Sequence, residues 1–414
     1  MKLVALGLAF LSAATLSWAA PVDQDFKTVG VVGSGSAKDG TVWFATWDDD
    51  VHFVVSKTSD AEAQRLFDIL KRSNTSSRSL VVTYDPFAAR LANDGSTIDL
   101  PICSVQLDEQ TFVPTPPCAR RPDGADALAD STIRSIALGW AEAREGDNDA
   151  AINELSAALA SKTLEKPLEA IAVRARALAE EQAGYSDSAA GRDGDGSWLA
   201  ALTDHQRLAE LRPNDAEVRI SEGLDYERLG DYDAAERIYR TAIDKWPDEK
   251  FPLEVRLASL ARTRGEYQRS LDLLNSLPEE FPDDIAMKFY YHRGWTLTKL
   301  GRFDEAIYDF TEGLKTQPDY PSAYLRRGCA YAALGRLGFA VGDLENAVGF
   351  MEDLPYAPNS RNMVLNLQLA KQLISRLKTA VAAGKNVAMP DVCDSLWRTV
   401  DDQPRKRSSL LNSK

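Results

Sequence analysis

The stretch MKFYYHRGWTLTKLGRFDEAIYDFTEGLKTQPDY, residues 287–320, is followed at once by a second version of its pattern, PSAYLRRGCAYAALGRLGFAVGDLENAVGFMEDL, residues 321–354. Small residues in each version predict the points where two antiparallel helices touch, and Gly301 permits the turn between them because it lacks a Cβ atom. Pro318 then ends the second helix. The stretch therefore predicts two stacked helix pairs. The positions that match at an offset of 34 residues are Tyr290 and Tyr324, Gly294 and Gly328, Gly301 and Gly335, Ala306 and Ala340, and Phe310 and Leu344.

The same spacing of small residues recurs upstream of this pair, beginning near residue 132. One upstream unit is divided by residues 185–196, whose glycine and aspartate content predicts a mobile loop. Another, at about 251–284, is less regular, because Ser270 replaces the usual alanine. Six units in all occupy residues 132–354, which exceeds the roughly three repeats that a solenoid needs to bury a continuous core.

A 34-residue period with glycine or alanine at fixed positions and proline near its end resembles the tetratricopeptide repeat family. The resemblance implies an all-α solenoid, in which helix pairs form a superhelix. Residues 355–385 contain an amphipathic stripe that predicts a helix capping the last repeat. Residues 386–414 form a C-terminal tail, and its basic end is predicted to be disordered.

The N-terminus reads as an export signal. Residues 1–19 contain Lys2, a short apolar run and the small-residue pattern Ser17-Trp18-Ala19, which is typical of a cleaved signal peptide. A membrane anchor is the alternative, but the run is shorter than the ~20 apolar residues that a span needs. The sequence therefore predicts a periplasmic or secreted protein with no membrane span after signal removal.

Residues 20–110 differ in character from the repeats. Short β-branched and aromatic runs alternate with turn residues, and a capping box at Ser59 begins one amphipathic helix over about 59–72. The predicted order β-β-β-α-β-β resembles the OB-fold in topology alone, with an SH3-like or other small barrel as the alternative. A proline-rich linker follows at residues 111–131. The expected fold class is thus α+β by domain, with a small mostly-β domain before the α-solenoid.

Strand alternation places Trp43 and Trp47 on one face of the predicted barrel, where they either stack on a glycan or pack against other parts of the chain. The acidic run Asp48–Asp50 predicts a polar hairpin tip and no metal site, because it lacks the glycine and glutamate spacing of a calcium loop.

The four cysteines are an even number in a chain predicted to be exported, which favours disulfides. Spacing pairs Cys103 with Cys118. Cys329 and Cys393 then remain, either as a second bridge or as two buried thiols.

The family resemblance implies a peptide-binding groove lined by the first helix of each unit. Arginine and lysine recur there, which predicts a partner segment that is acidic or ends in a carboxylate. The alternative is that these cations pair with neighbouring glutamates. The groove residues carried over from the family are Trp140, Arg144, Arg174, Leu224, Arg228, Arg262, Tyr291, Trp295 and Lys299.

No catalytic or cofactor motif is present among the sequence patterns, and the net charge of −14 argues against nucleic acid as a partner. We therefore expect an exported, non-catalytic adaptor or scaffold that binds a protein or peptide in a cell-envelope process. Two alternatives remain, namely a glycan-binding envelope protein that uses the barrel and a structural subunit of a larger envelope complex.

Overall fold

The computed structural model describes most of the helical part of the chain and the core of the β domain. The described residues are 22–26, 33–36, 42–45, 51–55, 60–76, 80–84, 89–92, 97–107, 110–113, 131–161, 164–278, 283–353, 361–384 and 406–412. The chain forms two compact units, Met1–Ala183 with Thr203–Pro213, and Gly184–Leu202 with Asn214–Lys414.

Helices follow one another in pairs from residue 131 onward, as the repeat pattern predicts. After α1 (Asp60–Ser76) in the β domain, they are α2 (Ser131–Glu145), α3 (Asn148–Leu159), α4 (Lys166–Ala189), α5 (Asp195–Leu211), α6 (Ala216–Arg228), α7 (Tyr232–Lys245), α8 (Lys250–Thr263), α9 (Tyr267–Asn275), α10 (Asp283–Lys299), α11 (Phe303–Thr316), α12 (Pro321–Ala333), α13 (Leu337–Asp353) and α14 (Arg361–Ala382). Within the described part of the chain, no helix is both long and apolar enough to cross a membrane.

The turn between paired helices needs a left-handed residue. Gly301 has φ of 74° at the end of α10, and the next amide, that of Arg302, donates to the Leu297 carbonyl at 2.9 Å. This hydrogen bond belongs to the Schellman motif, which satisfies carbonyls left open at a helix end. The next unit repeats it, since the Arg336 amide donates to the Tyr331 carbonyl at 2.9 Å.

Helix pairs are held together by glycines that receive a bulky side chain from the second helix. A Cβ atom on Gly294 would lie 2.9 Å from Phe310 Cε1, and one on Gly223 would lie 2.3 Å from Tyr239 Cε1. Both rings are fully buried. The prediction that Gly294 marks a close helix contact is therefore confirmed.

The predicted mobile loop at residues 185–196 is wrong for most of its length. Helix α4 continues to Ala189, a short turn follows, and α5 begins at Asp195. The fully buried ring of Trp198 lies against Gly184, whose added Cβ would be 2.4 Å from the indole Nε1. Tyr185 contacts the same ring edge-on at 6.1 Å. These contacts bury apolar area that a free loop would leave exposed.

The N-terminal strands form a mixed sheet in the order β1-β5-β7-β4-β3-β2, with β6 and β8 each paired to β7. Strand β4 runs parallel to β7, and the other ladders are antiparallel. The strands are β1 (Val22–Phe26), β2 (Gly33–Ser36), β3 (Val42–Ala45), β4 (Val51–Val55), β5 (Leu80–Tyr84), β6 (Arg90–Leu91), β7 (Ile98–Leu107) and β8 (Gln110–Phe112).

This sheet differs from the predicted β-β-β-α-β-β order, because four strands precede α1. The glycine-serine segment Gly33–Ser36, whose composition is typical of a turn, is strand β2. It pairs with β3 through backbone groups, which glycine and serine supply as well as any residue. No ladder among the described strands joins β1 to β2, so closure into a barrel stays a prediction.

The core of the first unit is shared by the sheet, α1 and the first repeat helices. Phe53 of β4, Leu66 of α1 and Ile136 of α2 belong to one buried cluster. Strand β8 overlaps the start of the predicted linker at 111–131, and residues 114–130 lie outside the described residues.

The second unit contains several smaller clusters between its helix pairs. The predicted capping segment contains α14, whose residues Ala370, Leu373 and Leu377 pack in one cluster with residues of α12 and α13. The expected disorder of the C-terminal end is wrong for residues 406–412. They are ordered, and Leu411 packs against Trp198.

Candidate ligand-binding site on the first helices of the repeats

Three successive first helices contribute to a stack of two guanidinium groups on one indole. The Cζ atom of Arg262 in α8 lies 3.7 Å from the centroid of the Trp295 ring in α10. The Cζ atom of Arg326 in α12 lies 3.3 Å from the same centroid. Both distances are well within the roughly 6 Å range of cation–π attraction. We call Arg262, Trp295 and Arg326 the arginine–tryptophan stack.

Hydrogen bonds fix the two arginines of the stack. Arg262 donates from Nη2 to Ser259 Oγ at 2.9 Å, and its Nη1 lies 3.3 Å from His292 Nδ1. Arg326 donates from Nε to the Tyr291 hydroxyl at 2.9 Å. Since a guanidinium has no acceptor, His292 Nδ1 must be the acceptor and therefore carries no proton.

The surroundings of His292 are strongly positive. Burial lowers the pKa of His292 well below its usual value, and the charges of Arg262, Arg256, Arg326 and Lys288 lower it further. The imidazole is thus neutral near pH 7. The charged groups with the largest effect on it are all cations, so an anion placed beside His292 would be attracted.

The arginine–tryptophan stack is buried, but residues that contact it are partly exposed to solvent. Arg262, Trp295 and Arg326 are at most 6% exposed. Ser259 and His292 are half-buried, whereas Arg256, Lys288 and Lys299 are exposed. The Trp295 indole Nε1 is buried without an acceptor among the described residues. A ligand would therefore meet Ser259 and His292 first, bordered by exposed cations.

Three of the predicted groove residues meet at this site. Tyr291, Trp295 and Arg262 come together, with ring centroids of Tyr291 and Trp295 5.8 Å apart. Lys299 is exposed one turn after Trp295 on the same helix.

The predicted groove residues in the first of the two compact units do not join this set. Trp140 is 3% exposed and contacts Phe53 of the sheet edge-on at 6.1 Å, so it packs in the core and is not open to a peptide. Arg144 lies 5.6 Å from the Trp140 ring, and Arg174 is half-buried.

Arg228 pairs with neighbouring side chains of the fold, which agrees with the alternative expectation that these cations pair with neighbouring acidic residues. It is 8% exposed and donates from Nη1 to Asp225 Oδ1 at 2.8 Å and from Nη2 to the Tyr185 hydroxyl at 2.8 Å. Leu224, the remaining predicted groove residue, is half-buried.

Sequence reasoning missed Arg326 and the role of His292. The signal was present, because the 34-residue offset aligns His292 with Arg326. Both follow the position assigned to the groove by one residue. In the packed structure the side chains at this next position contact the preceding repeat, since His292 lies beside Arg262 and Arg326 lies on Trp295.

Other predicted site residues fall at the limits of the described residues. Trp43 lies in β3 but its side chain is outside the description, and Trp47 is outside it entirely. Cys329 is disulfide-bonded. The pairing of Cys103 with Cys118 and of Cys329 with Cys393 stays a prediction.

Comparison with known proteins finds partial relatives. The aspartyl/asparaginyl beta-hydroxylases of Mus musculus and Homo sapiens are each 25% identical to this chain over 107 residues. That match covers 26% of this chain, which spans only 14% of the length of either hydroxylase.

Solved helical repeat structures are similar at low identity. A tetratricopeptide repeat protein from Parabacteroides merdae has a TM-score of 0.45 and 21% identity, with 61% of this chain and 86% of that chain covered. NprR in complex with its cognate peptide NprX has a TM-score of 0.42 and 14% identity, with 66% of this chain and 82% of that chain covered.

Family models match the part of the chain where the helix pairs lie. Two models of the tetratricopeptide repeat match residues 136–216 and 228–288, and a third, described as TPR repeat, matches residues 294–335. The arginine–tryptophan stack lies within these matched segments, with Arg262 in residues 228–288 and Trp295 and Arg326 in residues 294–335. This chain is therefore a protein with tetratricopeptide repeats.

Proposed function

We propose that this chain is an exported, non-catalytic adaptor whose repeats bind an anionic peptide segment at the arginine–tryptophan stack. The segment is acidic or ends in a free carboxylate. The observation that carries the proposal is the positive site at His292, where two stacked arginines and two exposed cations surround one half-buried imidazole.

Physical arguments favour an anion at this place. The chain as a whole has a net charge of −14, so a local excess of cations opposes the general repulsion of anions. Guanidinium groups held by hydrogen bonds are pre-organised for carboxylates, because less side-chain entropy is lost on binding. The tetratricopeptide repeats themselves support an interaction role.

The place of action is part of the same proposal. The signal-like residues 1–19 support export, and a disulfide at Cys329 is the kind of bond that persists in an oxidising compartment. We propose a cell-envelope process on these grounds.

The test is binding of a labelled hexaglutamate peptide to the whole chain, measured by fluorescence anisotropy beside its hexaglutamine counterpart. We expect the acidic peptide alone to bind. Arg256→Gln combined with Lys288→Gln should weaken it about 10-fold, since each exposed charge pair contributes up to about 1 kcal/mol. Both side chains are exposed, so the helical circular dichroism should not change.

Arg240→Gln is the matched control, because Arg240 is also exposed but lies on the second helix α7 and pairs with Glu236. Its affinity should equal that of the unchanged chain. Equal binding of both peptides, or an equal loss in the control, would contradict the proposal. Trp295→Ala is a poor test, because Trp295 belongs to a buried cluster and its loss also lowers stability.

A second readout is the titration of His292 by NMR, which is practicable because the chain has three histidines. A bound anion offsets the surrounding positive charge, so the pKa of His292 should rise toward its usual value of 6.5. By linkage, binding takes up protons and becomes tighter as pH falls. An unchanged pKa of His292 under saturating peptide would place the ligand elsewhere.

A further inference from the structure

The C-terminal segment 406–412 makes specific contacts far away in the sequence. The amide of Ser408 donates to the Leu229 carbonyl at 2.8 Å. Leu229 is the C-cap residue of α6, where the last carbonyl groups have no partner within the helix and can accept from another backbone. Ser408 itself is only 5% exposed. The segment is thus held by its backbone as a bound peptide is.

Charge complementarity adds to this backbone contact. Arg407 donates from Nε to Asp231 Oδ2 at 2.8 Å, and Asp231 is also the N-cap of α7, accepting from the Ala234 amide at 3.1 Å. Burial raises the pKa of Asp231, but the hydrogen bonds from Arg407 and Ala234 and the charge of Arg407 outweigh it, so the pKa is lowered. The carboxylate is therefore stabilised in its charged form by the tail.

An apolar contact completes the recognition. Leu411 packs against the buried cluster of Trp198, Leu202 and Leu229, whereas its neighbour Leu410 is 37% exposed. The surface thus contacts three positions of the segment, through a backbone hydrogen bond at Ser408, an ion pair at Arg407 and an apolar contact at Leu411.

We infer that the surface formed by Trp198, Leu202, Leu229 and Asp231 is a second peptide-binding site, and that the chain's own residues 406–412 are its resident ligand. It is distinct from the arginine–tryptophan stack and takes a ligand of opposite charge. The ligand is a segment with a basic residue, a small residue directly after it, and a leucine three residues after the small residue. A segment from another protein must displace the tail to enter.

The test uses the whole chain and a labelled peptide of residues 403–414. The peptide should bind a Leu411→Asp chain at least 10-fold more tightly than the unchanged chain. The reason is that the tethered tail competes at an effective concentration in the millimolar range, and the acidic substitution releases it. Leu410→Asp is the matched control, and the exposed position of Leu410 predicts behaviour like the unchanged chain.

A second variant tests the charge contact without unfolding α7. Asp231→Asn, added to Leu411→Asp, keeps the N-cap because asparagine caps as well as aspartate. The peptide should then bind several-fold more weakly. The inference is overturned if the Leu411→Asp chain binds no peptide at 1 mM (about 4 kcal/mol), or if Leu411→Asp and the unchanged chain bind it equally.

Hydrogen exchange gives an independent outcome in the unchanged chain. The Ser408 amide should exchange far more slowly than an exposed amide, and Leu411→Asp should remove that protection. A Ser408 amide that exchanges at the exposed rate in the unchanged chain would also overturn the inference.

Discussion

Gly223→Ala is expected to lower the free energy of unfolding of the second unit by about 1 to 3 kcal/mol or more. The new Cβ would lie 2.3 Å from Tyr239 Cε1, closer than any van der Waals contact. The ring cannot move aside easily, because it is fully buried and its hydroxyl donates to Glu227 Oε1 at 2.5 Å. Helices α6 and α7 must therefore separate.

Gly342→Ala makes the same chemical change on helix α13 and should have the opposite sign. Nothing lies within 4 Å of the added Cβ, and the position is exposed. Alanine then stabilises the helix by about 0.5 to 1 kcal/mol, because glycine loses more backbone entropy on folding. Calorimetric melting of both variants measures the difference. Equal melting temperatures would contradict the assignment of Gly223 as a contact point.

Arg293→Met is expected to destabilise the second unit by about 3 to 5 kcal/mol at neutral pH, because it leaves a buried carboxylate without its partner. Arg293 donates from Nε and Nη2 to Asp309 at 2.9 and 2.7 Å, and the Asp309 side chain is 2% exposed. The next repeat has the same bidentate pair, formed by Arg327 and Asp343 at 2.7 and 2.8 Å.

The loss should depend on pH in a defined direction. Burial raises the pKa of Asp309, and Arg293 opposes that rise through its hydrogen bonds and charge. Without Arg293 the pKa rises further. The destabilisation is then complete above this raised pKa, shrinks as the pH falls through it, and is lost below the usual 3.8, where the carboxyl is protonated in both the folded and the unfolded chain.

Arg302→Met is the control for the charge pair. Arg302 pairs with Glu305 on the surface, where the two side chains are 44% and 56% exposed. Its removal should have little effect on stability, because solvent screens an exposed ion pair. Urea unfolding at neutral pH and at pH 4, each compared with the unchanged chain, measures both variants. A loss in Arg293→Met no larger than in Arg302→Met would show that Asp309 tolerates its burial unpaired.

The repeat register follows from the sequence because each repeat contains the residues that define it. Gly294 and Phe310, or Gly223 and Tyr239, are separated by 16 residues, so one unit contains both sides of its own helix contact. The same local logic failed at residues 185–196. Glycine and aspartate there predict a loop, but the buried ring of Trp198 against Gly184 keeps α4 and α5 close.

The β domain shows another limit of local reasoning. The segment Gly33–Ser36 has the composition of a turn, yet it is a strand because β3 offers it a full ladder of backbone partners. The strand order, with β4 parallel to β7, depends on pairings between segments that are distant in the sequence. Composition carries no information about such pairings.

The helix pairs, their turns and the glycine contacts follow from the sequence alone, because these depend on residues within one 34-residue period. Which side chains meet across repeats depends on how the helices pack. Arg262, Trp295 and Arg326 come from three units, and Arg407 lies 176 residues from Asp231. Periodicity places a residue on a helix face, but the partner that it contacts depends on how separate helices pack, since burial and charge pairing act between neighbours in space.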